Sequence, residues 1–234
     1  MIKTISDRLT LIGTAHILPE SVEEVKKEIQ EKNPEIVAVE LCPSRYVALT
    51  TEGNGERSQG GGSGTALMNK VLYFVQNRFA QQTGSPAGKE MLTAIESAQN
   101  AGAEVELIDQ DISITLQKFM KGLGFWGKLR LLIESVLSIL PFGKKIDLEN
   151  ITEEEVVERL LKELKEFSEP AYNVLIRERN QYMADRITRI MKISSGQIIC
   201  VVGAGHMPGL YDELEAREEK GDFDSWENIE FKIE

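Results

Sequence analysis

"LTLIGTAHILPESVEEVKKEIQEKNPEIVAVEL", residues 9–41, changes its hydrophobic period twice. Residues 8–15 form an apolar run and read as a buried strand. From Pro19 onward the apolar residues fall at Val22, Val25 and Ile29 with charges between them, the spacing of an amphipathic helix that a proline opens. Asn33-Pro34 ends it, because a proline pushes the residue before it out of helical conformation. Residues 35–41, EIVAVEL, are apolar without alternation, the mark of a strand covered on both faces. Strand, helix and strand in about thirty residues make a βαβ unit, which predicts parallel strands joined by a right-handed crossover. The expected fold class is α/β, with a mixed, largely parallel sheet flanked by helices on both faces.

The same alternation continues outward. Residues 66–82 have helical spacing, and 85–103 read as a helix with Ser85 to cap it, Pro86 to open it and Gly102 to close it. Residues 103–109, AEVELID, read as a third strand and 197–204, QIICVVGA, as the last central one. Between these strands, 112–192 reads as a mainly helical insertion, with a Thr152/Glu155 capping box starting one helix and a second long helix beginning at Glu169. The tail 226–234 reads as an edge strand. One domain over residues 1–234 accommodates all of this. Residues 50–65 hold almost nothing to bury, and the GGGSG within them matches an engineered linker as well as a natural flexible loop, so no function is read from them.

Composition narrows the function. The net charge of −11, from 27 basic against 38 acidic residues, lacks the basic footprint that nucleic acids require and opposes electrostatic adhesion to anionic lipid. Two cysteines, Cys42 and Cys200, lie in or beside apolar runs and read as buried free thiols, which places the chain in a reducing compartment. The N-terminus has no signal-peptide core. Residues 124–140 are greasy but contain Lys128, Arg130 and Glu134, so they read as an amphipathic helix rather than a membrane span. Residues 122–129, GLGFWGKL, mimic a P-loop, but Leu129 occupies the position where Mg²⁺ binding needs Ser or Thr.

The two histidines carry the sharper signal. His16 and His206 each follow an apolar strand in the frame G-x-x-H, at strand C-termini, where open parallel sheets hold their ligands. Glu40 ends the second strand on that edge, and Asp109 and Asp111 end the third. Any one of them reads more plainly as a turn, cap or surface residue. The shared frame of the only two histidines makes a common site the better reading. Two imidazoles and a carboxylate suit Zn²⁺, Mn²⁺ or Co²⁺ and hydrolytic chemistry. A metal-free histidine base oriented by a carboxylate is the alternative. Residues 176–187, IRERNQYMADRI, read as a charged helix face, on which Arg179 could hold a substrate carboxylate or an oxyanion and Asn180 is atypical of surface filler.

Several segments resemble the TraB/PrgY family in order along the chain: GTAH with its helix and VAVELCPSR, then SPAGKEMLTAIESAQNAGAEVELIDQDISITL, RERNQYMADRI and VVGAGHMPG. The resemblance covers nearly the whole chain except the Gly/Ser stretch. It implies a fold like that of TraB, Tiki and erythromycin-esterase proteins, and a Tiki-type metal-dependent peptidase site. By that resemblance His16, His206 and Glu40 are metal-binding and catalytic, with Glu40 either third ligand or general base. Arg45, Arg179 and Asn180 would bind substrate or orient the metal ligands. PrgY members are associated with suppressing a peptide pheromone, which implies a peptide substrate or ligand and leaves sequestration without cleavage as a rival. TraB-type chains continue into transmembrane helices, so the sequence reads as the soluble, cytoplasmic part of a membrane protein. A homodimer, and docking of a partner on the 124–141 helix, complete the partner expectations.

Overall fold

The computed structural model describes residues 1–14, 19–52, 89–122 and 153–223. Its centre is a five-stranded sheet of β1 (Ile2–Ser6), β2 (Leu9–Thr14), β3 (Ile36–Val39), β4 (Glu104–Leu107) and β5 (Ile198–Gly203), ordered β1-β2-β5-β3-β4. Only β1 runs antiparallel. The expected largely parallel α/β sheet is therefore present. One strand is additional: β1 pairs with β2 across a turn at Asp7-Arg8, so the strand read as first in the chain is second. Its residues are partly exposed, as suits an edge strand, and that weak apolar signal hides it in the sequence.

Alternation along the strands divides the core into two faces. Ile198, Cys200 and Val202 of β5 join Leu9, Leu11, Ile36 and Ala38 on one face. They pack there against Met183, Ile187 and Met191 of α7 (Glu178–Ile193) and Leu210 and Leu214 of α8 (Met207–Glu218). Ile199 and Val201 join Ile12, Val37 and Val39 on the other face, beneath Val25 and Ile29 of α1 (Pro19–Lys32) and Met91, Ile95 and Ala98 of α3 (Lys89–Ala101). All residues of β2, β3 and β5 are buried, as continuous apolar runs require.

The remaining helices are α2 (Pro43–Glu52), α4 (Ile112–Gly122), α5 (Glu153–Phe167) and α6 (Glu169–Tyr172). Ser168 caps α6 by accepting from the Ala171 N–H at 3.2 Å. Asn173–Arg177 then form a π-helical turn that runs into α7. Gly102 does close α3, with φ of 75°. Cys42 and Cys200 are both free and buried, and burial pushes the Cys200 thiol well up. Among the described residues no helix is long and apolar enough to cross a membrane. His16, Ser85-Pro86, the Gly/Ser stretch, the helices expected over 66–82 and 124–140, Thr152 and the strand expected over 226–234 lie outside the described residues.

Candidate functional site

Three neighbouring strands end at one rim. β3 leads into Glu40, whose N–H donates to the Val201 carbonyl at 3.0 Å and so extends the β3–β5 ladder by one residue. β4 leads through Ile108 to Asp109, whose N–H donates to the Leu41 carbonyl at 3.1 Å. β5 ends at Gly203, and a single 3₁₀ turn, Ala204–His206, delivers His206 to the same edge. Because β5 lies between β2 and β3, Glu40 and His206 come from adjacent strands although 166 positions separate them.

Arg179 descends on this rim from the first turn of α7. Its Nε donates to Asp109 Oδ1 at 2.9 Å and its Nη2 to Asp109 Oδ2 at 2.8 Å, a bidentate pair. Nη2 also donates to Glu40 Oε1 in a very short contact, and Nη1 reaches the Leu175 carbonyl at 3.3 Å. Four of the five guanidinium N–H groups are thus committed within the protein. Glu40 Oε2 accepts from the Gly203 N–H at 2.6 Å. Side-chain exposures of 9% for Glu40, 2% for Asp109 and 14% for Arg179 place the cluster largely out of water, where charges persist only when paired.

Beside this ion cluster stands His206, buried, with Nδ1 at 2.6 Å from Asn180 Oδ1. An amide oxygen only accepts, so this bond assigns the ring proton to Nδ1 and leaves the lone pair on Nε2. Nε2 lies 3.4 Å from Glu40 Oε1. Asn180 is itself buried, and Gly209 in the first turn of α8 allows the approach: a Cβ there would stand 2.6 Å from Asn180 Nδ2. The π-turn immediately before α7 sits where such irregularities often mark functional positions. Arg179 and Asn180 follow it in the first turn of α7 and serve adjacent partners.

Electrostatics fix the charge states. Burial raises the Glu40 pKa, but His206, Arg179, the Gly203 N–H and Arg45 together outweigh it and hold the carboxyl at about 2. Burial pushes His206 down; Glu40 and Asp109 oppose this and Arg179 and Arg45 reinforce it, so the ring stays below its usual range. Glu40 is a carboxylate and His206 a neutral imidazole near pH 7.

Of the residues expected from sequence, Glu40, Arg179, Asn180 and His206 come together. Arg45 lies on α2 with Nη1 at 3.8 Å from Asp109 Oδ2 and its side chain 29% exposed, at the margin of the cluster. His16 is not among the described residues. The two rim aspartates separate. Asp111 is a cap: its Oδ1 accepts from the Ser113 N–H at 2.8 Å at the start of α4, and its Oδ2 from Ser44 Oγ at 3.1 Å. Asp109 is the anchor of Arg179, a pairing across 70 positions that no local pattern announces. Among the described residues, no group of three or more His, Cys, Asp or Glu side chains is arranged to hold a metal.

The model of the family described as TraB/PrgY/gumN matches residues 2–221. An uncharacterised protein of Methanocaldococcus jannaschii is 34% identical over 232 residues, covering 95% of this chain and 57% of that protein. Proteins named TraB domain-containing protein from human and mouse are 25% and 26% identical, each covering 87% of this chain and 61% of the relative. The chain thus spans about three-fifths of the length of these curated relatives.

Proposed function

This chain belongs to the TraB/PrgY/gumN family, and we propose that its rim is the active site of a metal-dependent peptidase. One observation carries the reading. His206 Nε2 and Glu40 Oε1, an imidazole lone pair and a carboxylate oxygen, face each other at 3.4 Å with no proton assigned between them. Two acceptors so placed repel unless a cation or a proton joins them, and the ring is held below its ordinary pKa. The separation matches two donors on one small ion at about 2.1 Å from each, and a neutral imidazole with a carboxylate is the donor chemistry that Zn²⁺, Co²⁺ and Mn²⁺ accept.

His206 and Glu40 would hold the ion, with His16 as the third donor that the family resemblance implies. When bound, such an ion supplies Lewis-acid polarisation of a carbonyl and an acidified water. The protein's own groups prepare the site. Asn180 fixes the tautomer and plane of the His206 ring, and Arg179 with the Gly203 N–H holds Glu40 ionised in one orientation. The remaining N–H of Arg179 and the partly exposed Arg45 offer positive charge to a peptide carboxylate or a developing oxyanion.

Turnover of a peptide library tests the proposal. Cleavage that stops in EDTA, returns with added Mn²⁺, Co²⁺ or Zn²⁺ and is absent from Glu40→Gln is expected. Cleavage that persists in EDTA would instead establish a metal-free histidine hydrolase. The position of Arg45 at the margin favours a second reading, peptide sequestration. Saturable peptide binding without turnover, abolished by Arg45→Ala and indifferent to EDTA, would establish that reading.

A further inference from the structure

We infer that Asp109 is a positioning residue of this site, acting on Glu40 through Arg179; the inference rests on the metal-site reading above. Asp109 has 2% of its side chain exposed, and both oxygens take Arg179, through Nε at 2.9 Å and Nη2 at 2.8 Å. The Gln110 N–H donates to Oδ1 at 2.8 Å and pins the carboxylate in turn. Held on the edge of its plane, the guanidinium has one orientation, and in that orientation Nη2 meets Glu40 Oε1. Oε1 is the same oxygen that faces His206 Nε2. Asp109 therefore sets the position of an oxygen that it does not touch.

Its charge matters as well as its shape. Without it, Arg179 would balance Glu40 alone and draw that carboxylate away from a divalent ion. Asp109 takes up part of the guanidinium charge and leaves Glu40 free to act as a donor. Asparagine keeps the volume, but it turns one oxygen into an N–H₂ group facing an Arg donor and removes the charge.

The test is Co²⁺ affinity, read from its visible absorption, in the 234-residue chain and in D109N, D109E, R179Q and D109N/R179Q. Changes to groups that support metal ligands typically cost 10–100-fold in affinity, so D109N should bind about 10–100-fold more weakly. D109E, which keeps the charge, should recover most of that loss. In the R179Q background D109N should add nothing, because the residue acts through Arg179. Wild-type affinity in D109N, or a further loss in the double variant beyond R179Q, overturns the inference. If D109N does not fold, the comparison of R179Q with the double variant, which removes both charges, decides it. If the wild-type chain binds no Co²⁺, the proposed function falls separately. The Arg179 Nε–H nitrogen resonance then decides: slow exchange in wild type and D109E with loss in D109N sustains the positioning role, and equal signals in all three reject it.

Discussion

His206 shows how much one hydrogen bond determines. The Asn180 carbonyl at 2.6 Å assigns its proton, and the neighbouring carboxylate faces the nitrogen left bare. Asn180→Ala should weaken metal binding by about 10–100-fold and leave the fold in place, checked by calorimetry beside far-UV circular dichroism. Acid should act on the metal-free protein in two stages. His206 has a folded pKa below 6.5, so the unfolded state binds its proton first and stability falls as pH drops below about 6.5. Glu40, at about 2 against 4.5, contributes stability that is complete above pH 4.5 and is lost as pH falls towards 2. Thermal melts of wild type and Glu40→Gln across pH 2–8 check this: the lower stage should vanish in the variant and the upper one remain. Glu40 and His206 were legible in the sequence because each ends an apolar run at a parallel strand's C-terminus. The role of Asp109 was not legible, since an aspartate before a helix looks the same whether it caps, as Asp111 does, or anchors a distant arginine.

Elements position these residues by close approach. α8 can start beside α7 because Gly209 leaves room for Asn180, and beside β2 because Gly13 leaves room for Met207, where a Cβ would lie 3.1 Å from Met207 Cγ. In an exposed helix interior, Gly→Ala usually stabilises by about 1 kcal/mol. At Gly209 the new Cβ would meet Asn180 Nδ2 at 2.6 Å, so Gly209→Ala should show no rise in Tm and a weaker metal site, read by melting and metal titration on one sample. The helix from Glu169 was legible as one long helical run, while its Ser168 cap is seen only in the structure. Its π-turn was not, because π geometry comes from packing and leaves no periodic mark of its own.

For the whole molecule, β5 is the member that makes the site possible. It is the last of the described strands and the middle one in the sheet, and it brings Gly203 and His206 between Thr14 at the end of β2 and Glu40 just past the end of β3. The βαβ reading of residues 9–41 predicted parallel strands correctly. Strand order was beyond it, because β5 enters between β2 and β3 through contacts more than 150 positions apart. Ile199 is fully buried at this centre, so Ile199→Ala should cost about 2–5 kcal/mol in denaturant unfolding. This chain spans about three-fifths of the length of its curated relatives, so the site is tested on the chain itself. Calorimetric titration with Mn²⁺, Co²⁺ and Zn²⁺ of wild type, His206→Ala and His16→Ala does this most directly. The account predicts one ion per chain for at least one of these metals, lost in both variants. No binding to wild type, or binding that survives both substitutions, would contradict it.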